Sequence, residues 1–141
     1  MEIWSTPLTA AVYREIGDEL GIASSLTSLG LLATVLGEPK RAADFPSDAL
    51  ARFRALGERR GAAVTLANVG RLAREEGDLE EAVRYQEEAL SLNRQLGFKR
   101  GVAIELDRLA DIMISQGDLR RARSLYIESL PLWREINDPV D

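Results

Sequence analysis

Apolar side chains return along most of this chain at three- and four-residue steps, the spacing that places them on one face of a helix. Within residues 54–93, Ala63, Leu66, Val69, Gly70 and Ala73 make one such stripe. Leu79, Ala82, Val83, Gln86, Ala89 and Leu90 make a second. Gly77 and Asp78 stand between them. Glycine suits the left-handed residue that closes a helix, and aspartate suits the N-cap of the next, where its carboxylate accepts from orphan backbone N–H groups. The pattern predicts a helix, a tight turn and a second helix.

The same pattern recurs without a gap. Moved back by 40 residues it falls on 14–53, and moved forward it falls on 94–133. Seven columns hold one residue in all three copies: Gly17/Gly57/Gly97, Gly21/Gly61/Gly101, Ala23/Ala63/Ala103, Leu26/Leu66/Leu106, Gly37/Gly77/Gly117, Ala42/Ala82/Ala122 and Leu50/Leu90/Leu130. Arg14, Arg54, Arg94 and Arg134 form an eighth. Chance aligns one or two columns at a single period, not eight, so the chain is a tandem array. It reads as a single domain over 1–141. A partial leading repeat (1–13) precedes repeats at 14–53, 54–93 and 94–133, and a truncated tail (134–141) follows. Seven helices are expected: one from Thr6-Pro7 to about Ile16, then pairs at 20–36 and 39–56, 60–76 and 79–96, and 100–116 and 119–136.

Several positions strain this pattern. Gly30 and Gly70 lie in mid-helix, where glycine costs roughly 1 kcal/mol relative to alanine, so two helix backbones are expected to approach closely there. Ala110 fills the same column in the third copy. Pro46 removes a hydrogen bond inside the second helix of the first repeat, which is expected to kink or break. Pro131 is expected to bend the last helix.

The chain resembles a tetratricopeptide repeat protein. The family's L-G pair in the first helix is met by Leu29-Gly30, Val69-Gly70 and Leu109-Ala110. Its A-x3-F-x2-A-L pattern in the second is met by Ala42…Ala49-Leu50, Ala82…Ala89-Leu90 and Ala122…Tyr126…Ser129-Leu130. The usual period of this family is about 34 residues. The longer period here, with a G-x3-G connection, resembles the repeats of kinesin light chains, spindle-orientation scaffolds and bacterial ATPase-linked transcription regulators. The aromatic of the family's first helix is replaced by Leu26, Leu66 and Leu106, and that of the second survives only as Tyr126. The resemblance implies an all-α right-handed superhelix whose first helices line a concave groove.

Composition then narrows the function. Net charge is −5, and nucleic-acid binding usually needs a basic stripe. The absence of cysteine and histidine excludes a disulfide scaffold, Cys/His zinc sites and Cys- or His-based nucleophilic catalysis. No apolar run reaches the roughly 18–20 residues of a membrane helix. The start at Met1-Glu2-Ile3-Trp4 lacks the regions of a signal peptide, so a cytoplasmic location is expected. Arginine far outnumbers lysine, which points to a GC-rich bacterial genome. The adjacent pairs Glu75-Glu76, Glu80-Glu81 and Glu87-Glu88 diverge by about 100° on a helix and read as solvated faces. The run from Gly57 to Gly61 lacks the G-K-[ST] ending of a phosphate loop. No catalytic set, metal site or cofactor site emerges.

Carried over residue by residue, the resemblance places Ser24, Thr27, Ser28, Leu31 and Val35 of the first copy in the groove. The second copy contributes Val64, Ala67, Asn68, Arg71, Arg74 and Glu75. The third contributes Ile104, Asp107, Arg108, Asp111, Ile114 and Ser115. Asn68 before the L-G pair is where this family often holds peptide backbone, since an amide both donates and accepts. Arg108 occupies the same column one repeat on, where a guanidinium suits a ligand carboxylate. A full carboxylate clamp is missing, because the matching columns hold Thr27, Leu31 and Ile104. Among the groove positions, Asn68, Arg71, Arg74, Asp107, Arg108 and Asp111 are the candidates for peptide binding. Repeat arrays normally end in polar capping helices, and the last helix instead carries Ile127, Leu130, Leu132, Trp133 and Ile136. Leu130, Trp133 and Ile136 are accordingly candidates for end contacts, and Trp4 for packing or an end contact.

The expected function is a non-enzymatic module that binds a peptide or helix of a protein partner in its groove, without nucleic acid or membrane. One alternative is a regulatory or sensor segment of a larger bacterial signalling ATPase or transcription regulator. Another is a structural module that self-associates, as a homodimer, through its uncapped ends.

Overall fold

Glycines at twenty-residue steps punctuate the backbone. Gly37, Gly57, Gly77, Gly97 and Gly117 all adopt positive φ, between 67° and 84°, a region that costs other residues roughly 1–2 kcal/mol. After each, the chain reaches back across the turn. Glu58 N donates to Phe53 O at 2.9 Å, Asp78 N to Ala73 O at 2.9 Å and Asp118 N to Met113 O at 2.8 Å. These bonds satisfy carbonyls that the helix end leaves orphaned. Two of the helices that follow are capped by an aspartate: Asp78 accepts from Glu81 N at 3.3 Å and Asp118 from Arg121 N at 3.1 Å. Glu58 takes that role for its helix, accepting from Arg60 N at 2.9 Å and Gly61 N at 3.2 Å.

The computed structural model describes the backbone of residues 7–138 and the side chains of residues 15–138. It contains six helices among those residues: α1 (Pro7–Val35), α2 (Pro39–Ala55), α3 (Arg59–Glu75), α4 (Leu79–Leu96), α5 (Lys99–Ser115) and α6 (Leu119–Asn137). No strand occurs among the described residues, and the fold is all-α. Residues 1–6, which include Trp4, and the side chains of Tyr13 and Arg14 lie outside them.

The expected seventh helix is a correction. The leading helix and the first helix of the first repeat are one 29-residue helix, α1, running through Gly17 and Gly21. Glycine permits a left-handed turn without forcing it. In the later copies a docked side chain selects the turn. A Cβ at Gly61 would collide with the Phe53 ring, and one at Gly101 would lie 2.6 Å from Phe98 and 2.7 Å from Asn93. Gly17 and Gly21 meet nothing within 4 Å. With no packed face to repay the lost backbone bonds, the helix continues.

The chain forms two compact units, Met1–Gly61 and Ala62–Asp141. In the first, α1 and α2 pack through Ala23, Ala33, Ala42, Ala49, Leu50 and Phe53, all buried. The small residues let the two helices come close. Pro46 does not break α2, which is continuous from Pro39 to Ala55. Its ring is seated on Gly30, where an added Cβ would fall 2.5 Å from Cγ of the proline. Gly70 accommodates Gln86 in the same way, with a Cβ 2.8 Å from the side-chain amide. The mid-helix glycines therefore make room for a side chain of the facing helix rather than for its backbone.

In the second unit, Ala73, Ala82, Ala110, Ile112, Met113 and Ala122 form one core cluster, bordered by Leu79, Val83 and Leu125. Leu90, Val102, Leu106 and Leu109 form another, bordered by Val83, Leu125 and Leu132. Ion pairs cross to α6 at the surface: Arg121 to Glu87 at 3.0 Å, Lys99 to Glu135 at 2.5 Å, and Arg94 to Glu128. Exposed pairs of this kind stabilise by at most about 1 kcal/mol. Helix α6 remains unbroken through Pro131.

Candidate functional site

Helices α3 and α5 are the first members of their pairs, and the pairing turns their unburied sides to a common face. On α3, Ala62, Ala63, Thr65, Leu66, Gly70 and Ala73 are buried. Val64, Asn68, Arg71 and Arg74 lie off that stripe, with Val64 and Arg71 exposed. On α5, Ile104, Asp107, Arg108 and Asp111 are half-buried and Ile114 is exposed. Arg74 Nη1 lies 3.8 Å from Asp111 Oδ2, joining the two helices across the face.

Most of the charged candidates are already engaged. Asp111 also accepts from the Tyr126 hydroxyl, and that bond, which is lost when the phenol ionises, pushes the phenol up to about 12. Asp107 Oδ2 accepts from Trp133 Nε1 at 2.8 Å, while its Oδ1 is buried without a hydrogen-bond partner among the described residues. Arg108 Nη1 donates to Glu105 Oε1 at 3.0 Å. Asn68 and the Arg71 guanidinium differ: neither makes a hydrogen bond or ion pair among the described residues. They are neighbours at i and i+3, about one helical turn apart, and exposed Val64 lies one turn before Asn68.

Beneath this face lies a polar cluster that sequence reasoning missed. Glu105 is buried, as is Gln86. The Gln86 amide nitrogen donates to Glu105 Oε2, and its oxygen accepts from the backbone N–H of Arg71 at 3.2 Å. With the amide turned over, Nε2 reaches only Ala67 O, at 3.5 Å. Its oxygen then faces a Glu105 oxygen, an arrangement that requires a protonated carboxyl. Burial raises the Glu105 pKa to about 7, against the opposing pull of Arg108. The signal in the sequence was the column Ser25/Thr65/Glu105, in which the third copy places an acid on the side that faces the core.

The three end-contact candidates separate. Leu130 is exposed, together with neighbouring Ile127. Trp133 is half-buried, bonded to Asp107 and covered by the Arg100 guanidinium at 5.8 Å from the ring centre. Ile136 is half-buried. Groove positions of the first copy belong to the other unit, where Leu31 and Val35 are exposed and Thr27 donates to Ala23 O at 3.1 Å. No group of acidic side chains suited to a metal ion occurs among the described residues, and no helix there is long and apolar enough to cross a membrane.

Comparison with known proteins agrees with this architecture. The model of the tetratricopeptide repeat family matches residues 21–95. Among solved structures the chain is similar to the crystal structure of BtubC (BKLC) from P. vanneervenii, with a TM-score of 0.79 at 20% identity. The match covers 95% of this chain and 56% of that one, so the chain spans a little over half the length of that protein. At this identity the likeness concerns the fold alone. No curated protein sequence matches the chain.

Proposed function

The chain belongs to the tetratricopeptide repeat family, and from that premise we propose that it is a non-enzymatic module whose α3–α5 face takes a peptide or helix from a protein partner. Repeats of this kind generally mediate contacts between proteins. One observation carries the choice of face: the Asn68 amide and the Arg71 guanidinium make no hydrogen bond or ion pair among the described residues, whereas Arg74, Asp107, Arg108 and Asp111 are engaged. An amide and a guanidinium that are already free lose no internal bond when a ligand arrives. Asn68 would hold peptide backbone as donor and acceptor, and Arg71 would pair with a carboxylate. Val64 and Ile114, both exposed, would flank the peptide with apolar surface. Arg108 keeps donors beyond the one given to Glu105 and extends the site. The net charge of −5 favours a protein ligand over nucleic acid.

The test is a peptide-display selection on the intact immobilised chain, followed by affinity measurement for the selected peptides. Asn68→Ala and Arg71→Ala should each weaken binding by roughly 1 kcal/mol, about fivefold, with a similar loss for Arg108→Ala. Unchanged affinity in Asn68→Ala and Arg108→Ala would remove the face from consideration.

A further inference from the structure

The 40-residue register allows each exposed end of the array to be compared with a buried position inside it. In the second unit, Leu90 on α4 packs against Val102, Leu106 and Leu109 on α5. One period on from Leu90 stands Leu130 on α6, and two periods back from those α5 residues stand Ile22, Leu26 and Leu29 on α1. Leu90 is 7% exposed, Leu130 48%. Leu109 is 2% exposed, Leu29 42%, and Ile112 is fully buried where its equivalent Leu32 is 52% exposed. The two open faces are thus the two halves of a contact that the chain makes internally.

The α1 half is open for a structural reason. By register, residues 7–16 match 87–96 of α4, and a turn at Gly17 like that at Gly97 would fold them back over Ile22 and Leu29. Helix α1 continues through Gly17 instead, and a shallow, mainly apolar cleft of about 760 Å³ lies along Gly17, Asp18, Gly21, Ile22, Ser25, Leu26 and Leu29. The leading segment would in any case bring Ala10 to the column where Leu50, Leu90 and Leu130 stand. Helix α6 brings the leucine. Charge follows the same register: Arg94 pairs with Glu128, and the equivalent pair across two chains is Arg134 with Asp48.

We infer that two copies of this chain join head to tail, with the Leu130 face of α6 in one copy seated on the Ile22–Leu29–Leu32 face of α1 in the next. Such a contact is heterologous, so each copy keeps one unused face and growth continues unless the rotation closes a ring. The inference is independent of the peptide-binding face on α3 and α5.

Two single-end variants test it, Leu29→Asp and Leu130→Asp, both at exposed positions, with the helical circular-dichroism signal confirming the fold. Light scattering from micromolar to millimolar concentration should show wild-type mass climbing beyond twice the 15.6 kDa of one chain, while each variant alone remains a monomer. An equimolar mixture of the two should form the dimer through their remaining intact faces, and stop there. A wild type that stays monomeric throughout overturns the inference, as does any dimer of one variant alone, since that requires a face to pair with itself.

Discussion

A carboxyl at position 105 has exchanged water for Gln86 and Arg108, and this sets a pH dependence of known sign. Its pKa is raised from 4.5 to about 7 in the folded chain, burial outweighing the attraction of Arg108. The folded state therefore holds its proton more tightly than the unfolded one. The resulting stability is fully present below pH 4.5 and is lost as pH rises through about 7, a swing of up to about 3 kcal/mol. Glu105→Gln keeps a neutral hydrogen-bonding side chain at every pH, so the variant should gain on wild type as pH rises from 4.5 to 7. Chemical denaturation of both proteins across that range measures it, and parallel stability curves would refute the assignment. Column and residue type alone nominate Asn68 and Arg71 as site candidates. The engagement of Asp107 by Trp133 and of Asp111 by Tyr126 is not legible in the sequence, since both bonds join α5 to α6 across a distance that no local pattern encodes.

At the scale of elements, the helix ends were legible wherever a glycine and a carboxylate stood together, as at Gly77-Asp78 and Gly117-Asp118. The limit appears at Gly17, which shares its column with Gly57 and Gly97 yet lies inside α1. Local residues offer the turn, and the docking of Phe53 or Asn93 on the following glycine selects it. Two substitutions separate these roles by thermal or denaturant unfolding. Gly17→Ala, in mid-helix with nothing within 4 Å, should stabilise by up to about 1 kcal/mol. Gly97→Ala, at φ 67°, should destabilise by about 1 kcal/mol or more. Equal effects would mean that the two columns turn alike in solution. Asp118→Ala removes the cap on Arg121 N and should cost about 1 kcal/mol. Pro46 was also misjudged from sequence, because the cost of its lost hydrogen bond is visible locally while the seat that Gly30 provides is not.

For the whole molecule, a repeat array gains stability chiefly between neighbouring repeats, so its ends are where apolar surface remains and its faces are where partners bind. Both features are visible here: Leu50 and Leu90 are buried while Leu130 is open, and the Asn68 amide and Arg71 guanidinium are unpaired among the described residues. The central claim is that this face recognises a protein ligand. Backbone amide shifts recorded by NMR while a display-selected peptide is titrated into the intact chain test it most directly. The account predicts that the perturbed residues cluster at Val64, Asn68 and Arg71 on α3 and at Ile104, Arg108 and Asp111 on α5. Perturbations confined to α1 and α6, with those six positions unmoved, would contradict it and assign ligand binding to the ends of the array.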